Sequence, residues 1–191
     1  MLLQKLKNKK GELVFNKKVT YFFIKLFALF SLWFVCYTLF LRPGRIIDRP
    51  LTNFLTASVT KCINVLSPSS LTPISWSENP VRPCTHLTLN NIPIFDIFDI
   101  CNGIDLMFIY LGVLFLLPYP LKRKIIYGAG GVVAIIVLNI IRIFSLYFIY
   151  IYHRRVFDFS HHYLFTLLMY VLIFYGWLLF VKKSRGYEQS S

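Results

Sequence analysis

Three residue types suited to acyl transfer stand near the ends of separate apolar stretches of this 191-residue chain: a thiol at Cys101, a guanidinium at Arg142 and an imidazole at His161 or His162. A thiol of ordinary pKa, about 8.5, is a poor nucleophile until a base or a cation shifts it toward thiolate. A histidine can take that proton and later return it to a leaving amine. Arg142, permanently charged, can stabilise the oxyanion of a tetrahedral intermediate. With water as the second nucleophile such a site is a protease; with an amine or hydroxyl it is a transpeptidase.

Whether the three groups meet depends on the elements that carry them. The chain is 57% hydrophobic and 18% aromatic, with a mean hydropathy of +0.61, too apolar for a soluble domain. Four stretches approach the roughly 20 residues that cross a bilayer core: 19–41, 100–118, 125–152 and 163–181. The expected fold is therefore all-α, a polytopic transmembrane bundle of about four spanning helices. The first stretch follows a basic arm and lacks a small-residue cleavage site after it, so it reads as a retained anchor and not a signal peptide.

Orientation follows from the lysines and arginines near the span ends. With the N-terminus inside, twelve basic residues fall on the cytoplasmic side, among them the Lys122-Arg123-Lys124 hairpin, and seven on the other. The expected organisation is a basic cytoplasmic arm at 1–18, an anchor at 19–41, an extracytoplasmic loop at 42–99, a three-helix catalytic core at 100–181 and a cytoplasmic tail at 182–191. Basic clusters beside apolar spans hold inner headgroups. They account for the net charge of +13 without nucleic acid, for which no binding motif is present.

In this topology Cys101 lies within about a turn of the outer interface. Arg142 lies about 25 Å along the third span from Ile125, in the same leaflet, and the histidines begin the fourth span. Taken singly, each has a plain structural reading: packing for the cysteine, snorkelling for the arginine, solvation for the histidines. Their shared depth favours a site. Asp105, four residues after Cys101, projects from the same side of a helix and is the expected buried partner of Arg142. Asn139 shares the face of Arg142 and could orient the guanidinium or a substrate carbonyl, and Gly103 permits close backbone approach beside the thiol. Gly130 and Ala134 read as a small-residue helix contact.

The loop at 42–99 is punctuated by Pro43, Pro50, Pro68, Pro73, Pro80, Pro83 and Pro93, which argues against long regular elements outside 51–66. Over 51–66 the apolar residues recur at helical spacing, predicting an amphipathic helix on the outer membrane surface that serves as a scaffold against the bundle. Cys62 and Cys84 could pair in an oxidising compartment.

The segments CNGI at 101–104, NIIR at 139–142 and HHYLF at 161–165 resemble the three signature motifs of the exosortase/archaeosortase family of membrane cysteine transpeptidases, and the likeness covers about 90–181. The resemblance implies Cys101 as nucleophile, Arg142 as oxyanion stabiliser and His161 as acid and base, with His162 the alternative, in a compact bacterial exosortase-like member. It implies substrates that are membrane-anchored exported proteins with a C-terminal sorting tail, cleaved through a thioester and passed to an acceptor at the outer face of the cytoplasmic membrane. No metal or cofactor is expected, since the histidines lack the further spaced ligands of a zinc site. Asn102 departs from the small residue that many members carry there. Two other classes remain: a non-catalytic scaffold with a structural Asp105–Arg142 pair, and a small transporter subunit. Against the transporter, the polar residues cluster at one depth.

Overall fold

The computed structural model describes residues 17–66 and 73–188. Most of the basic arm, residues 1–16, lies outside the described residues, as do Pro68 and the end of the tail at 189–191.

Helix α1 (Lys17–Cys36) runs on through a π-helical turn, Tyr37–Leu41, so that an apolar rod of 23 residues spans Val19–Leu41. Its large side chains, Phe23, Phe27, Phe34 and Phe40 among them, are exposed, as suits a helix solvated by lipid tails. Helix α3 is Ile104–Leu116, α4 is Leu121–Tyr152, and α6 is Phe165–Glu188. Between α4 and α6 lie a 3₁₀ turn at Arg154–Val156, the single helical turn α5 (Phe157–Phe159) and a second π-helical turn, Ser160–Leu164.

Three of these helical runs are long and apolar enough to cross a membrane: Val19–Leu41, Leu121–Tyr152 and Arg154–Ser184. The expected fourth is shorter than the sequence suggested. Of the 100–118 stretch only 13 residues are α-helical, a rise of about 20 Å against a core of about 30 Å. Both ends have local causes. Gly103, with φ +83°, breaks the backbone before the helix. Pro118 forces Leu117 into extended conformation after it, with ψ 141°.

The segment before α3 departs furthest from expectation, because it holds a three-stranded antiparallel sheet in a chain read as all-α. The strands β1 (Ser75–Glu78), β2 (Cys84–Leu89) and β3 (Ile92–Phe98) lie in the order β1-β2-β3. Asn90 and Asn91, with φ of 52° and 63°, make the two-residue left-handed turn that suits a tight hairpin. The prolines sit where a sheet tolerates them: Pro80 and Pro83 between strands, Pro93 on an edge strand next to a bulge.

Helix α2 (Asp48–Leu66) covers one face of this sheet. Its Leu55, Val59 and Ile63 are almost fully buried with Leu87, Phe95 and Ile97 of the sheet and Ile143, Leu146 and Tyr147 of α4. The Thr56 hydroxyl hydrogen-bonds that of Thr85 at 2.6 Å. The predicted amphipathic helix is thus a scaffold whose apolar side meets protein, while Phe54 and Lys61 stay exposed. A second cluster, with Met107, Tyr110, Leu114, Ile135, Met169, Ile173 and Phe180, knits α3, α4 and α6 together. There the Tyr110 ring occupies the space that a Cβ on Gly131 would need, at 2.0 Å, and borders Gly176. The small-residue contact uses Gly131 and Gly176, whereas Gly130 has nothing within 4 Å of its would-be Cβ and Ala134 is exposed.

Candidate active site

The turn joining the sheet to α3 carries the thiol. Cys101 closes a 3₁₀ turn, Asp99–Cys101, that follows directly from β3. Two buried carboxylates fix this turn, and neither was picked out from the sequence. Asp99 receives a two-pronged bond from Arg45, at 2.6 and 2.9 Å, and a third from the Thr52 hydroxyl at 2.8 Å. Asp48, in the first turn of α2 and 1% exposed, accepts from the Asn102 amide at 2.8 Å and from the Tyr37 hydroxyl at 2.9 Å. Charged hydrogen bonds of this kind are short and strong. Asn102 also closes a turn just ahead of α3, its Oδ1 accepting the Ile104 N–H at 2.9 Å. The residue that departs from the family pattern is therefore a brace for the turn.

Asn139 completes the brace. It is 0% exposed, and its Nδ2 reaches the Asn102 carbonyl at 3.5 Å. It reaches the thiol-bearing turn and is not among the residues that line the cavity, a placement that fits positioning of the turn, while its buried Oδ1 has no hydrogen-bond partner. Gly103 is needed twice over. Its left-handed backbone favours glycine, and a Cβ there would lie 2.1 Å from the Asn139 Nδ2.

The imidazole arrives from the other end of the chain. Cys101 Sγ and His161 Nε2 are 3.5 Å apart, across 60 residues of sequence; the thiol donates when Nε2 is unprotonated. His161 sits in the π-helical turn Ser160–Leu164, a geometry that often marks functional positions, and its ring stacks on Phe157 with planes 10° apart. His162 is exposed and meets His161 only edge-on. Arg142 comes from α4. With Cys101 and His161 it lines one cavity of about 510 Å³, walled also by β3, Ile100, Leu146, Tyr150 and Phe157.

The expected Asp105–Arg142 pair is absent. Asp105 is exposed and lines a different cavity, beside Arg42, Arg82 and Asp48. The spacing failed because Cys101 is not on the α3 helix: the turn at Gly103 rotates it away from the face that Asp105 occupies. Among the described residues no carboxylate pairs with Arg142, and its Nε is buried with no hydrogen-bond partner. That removes the one structural ion pair on which the scaffold reading rested.

Cys62 and Cys84 are both free, one exposed and one buried, so they form no disulfide; burial pushes the Cys84 thiol up. On the face of the sheet away from α2 Cys84, His86 and Asp96 bring their ligand atoms within 4.8 Å of one another, as a metal would require. The His86 ring is already engaged at both nitrogens, Nδ1 by Asp96 and Nε2 by Asn79.

The described residues thus form a mostly helical membrane protein in which a thiol, an imidazole and a guanidinium without an acidic partner among them line one cavity. The family model described as transmembrane exosortase (Exosortase_EpsH) matches residues 18–182, and the chain belongs to that family. No curated protein and no solved structure matches it.

Proposed function

We propose that this protein is a cysteine transpeptidase of the cytoplasmic membrane that cleaves the C-terminal sorting tail of exported proteins and transfers them to an acceptor. The observation that carries the reading is the 3.5 Å approach of Cys101 Sγ to His161 Nε2 in a cavity that also holds an arginine with no acidic partner among the described residues.

His161 takes the thiol proton, and the sulfur attacks the scissile carbonyl carbon. The electrons of the carbonyl bond move to oxygen, where Arg142 holds the negative charge. Collapse breaks the C–N bond, and the imidazolium gives its proton to the leaving amine, which departs with the tail. A thioester remains on Cys101. An acceptor amine or hydroxyl, deprotonated by the same His161, then attacks the thioester and frees the thiol; water in that role gives hydrolysis. With the short α3 making the fourth crossing, so that both termini are cytoplasmic as the charge asymmetry of the sequence favours, this chemistry lies at the outer face of the membrane.

The test is co-expression with an exported protein bearing a sorting tail, followed by size and membrane retention. Wild type processes the precursor; Cys101→Ala, Arg142→Ala and His161→Ala accumulate it, while His162→Ala processes it. Full processing by Cys101→Ala ends this reading.

A further inference from the structure

We propose that the substrate enters as an extended segment that adds a fourth strand to the free edge of β3, resting on the acyl-transfer reading above. Six consecutive residues of this strand, Pro93 to Phe98, line the cavity that holds Cys101, Arg142 and His161. Side chains of a strand alternate between faces. A cavity touching all six therefore abuts the strand's edge, not one of its faces.

The ladder shows which backbone groups that edge presents. The Asp99 N–H bonds the Pro83 carbonyl at 3.0 Å, and the register pairs Ile97 with Thr85 and Phe95 with Leu87. Alternation in an antiparallel pair then turns the N–H and C=O of Ile97 and Phe95 toward β2 and those of Asp96 and Phe98 outward. The other flank of β2 agrees, since the Asn79 N–H bonds the Cys84 carbonyl, which directs residue 84 toward β1. The Phe98 carbonyl, at the N-cap of the 3₁₀ turn, is taken by that turn, whereas among the described residues no hydrogen bond outside the sheet engages the backbone of Asp96 or the N–H of Phe98. Both backbone groups of Asp96 and the N–H of Phe98 are thus open. They lie on the strand that feeds directly into the thiol-bearing turn, with Cys101 three residues beyond Phe98.

The occupant is a polypeptide in extended form, because only such a chain offers N–H and C=O groups at the spacing of an open edge. It also leaves a scissile carbonyl free of internal hydrogen bonds. Alternate side chains of the segment face the apolar wall of Leu146, Tyr150 and Phe157. Recognition of this type is main-chain in affinity, so substrate tolerance at positions facing away from the wall follows.

The test uses the tail-bearing precursor of the co-expression assay. Phe98→p-benzoylphenylalanine, placed in the Cys101→Ala background to hold the precursor uncut, is irradiated and the crosslinked residues are mapped; Leu66, at the far end of α2, receives the same probe as control. In parallel, a proline scan covers the precursor residues before the cleavage site. The expected result is crosslinking from position 98 to that segment, none from 66, and a period-two pattern in the scan, with alternate prolines slowing processing roughly tenfold for lost ladder bonds. A thioester on wild-type Cys101 combined with no crosslink from 98 and a flat scan overturns edge docking and leaves acyl transfer standing. Processing unaffected by Cys101→Ala overturns both.

Discussion

Two cavities of similar size flank the Asp99–Cys101 turn, and they use charge in opposite ways. The one of about 610 Å³ on the α1 side gathers Arg42, Arg45, Arg82, Asp48, Asp99 and Asp105, and its best-buried pair, Arg45 with Asp99, is locked two-pronged. The one of about 510 Å³ on the α4 side holds Arg142 with no acidic partner among the described residues. A cation kept from a carboxylate in an apolar wall costs free energy. The first cavity shows what arginines do when they serve architecture; the contrast supports the proposed role of Arg142 as a group held for a ligand.

The largest effect that would sharpen this contrast is on chemistry. Cys101→Ala should lower processing by about four to six orders of magnitude, down to the uncatalysed level for a lost nucleophile. Arg142→Gln should cost about 10²- to 10³-fold in turnover without lowering the unfolding temperature in detergent. A structural Arg142 would show the reverse, lost stability with normal turnover. On the other side of the turn Asp99→Ala should behave oppositely, destabilising by about 3 kcal/mol because Arg45 is left partly buried and unpaired. Thermal unfolding of the purified variant checks this, and an unchanged midpoint would break the comparison.

Gly103→Ala comes next, at about 1–3 kcal/mol for the left-handed backbone, plus the overlap with Asn139. In Gly103→Ala/Asn139→Ala the overlap is relieved but the backbone strain is not, so unfolding scans should show part of the loss restored. The smallest effect lies on the surface. The hydrogen bond from Arg49, then that from Asn53, holds the Glu78 carboxyl below its usual range. The folded protein therefore favours the charged form. That contribution is complete above the unfolded carboxylate pKa and disappears as pH falls through the lowered folded value. Glu78→Gln should flatten only that acid portion of the stability curve, with neutral-pH processing unchanged.

What the sequence disclosed and what it hid differ by range. Cys101, Arg142 and His161 could be grouped from the sequence because helix rise and span boundaries are local properties, and the structure sets the three around one cavity. Asp105 was assigned to the wrong side because residues 101–105 were treated as continuous helix, whereas Gly103 interrupts it. The sheet went unseen because proline frequency outweighed two visible signals: the alternation in IPIFDIF and the Asn90-Asn91 pair, whose left-handed tolerance suits a hairpin. Asp48 and Asp99 could not have been found this way, since their partners Asn102 and Arg45 lie 54 residues distant and no periodicity connects them. Asn102 offered a clue in its position just before α3, where an asparagine side chain bonds the backbone two residues on.

The separation of Cys101 from His161 along the chain bears on biogenesis. During synthesis the sulfur and the guanidinium emerge first, with the turn before α3 and with α4, and the imidazole follows only in the turn before α6. Under the proposed mechanism the nascent chain therefore carries an unactivated thiol until the segment with His161 has joined the bundle.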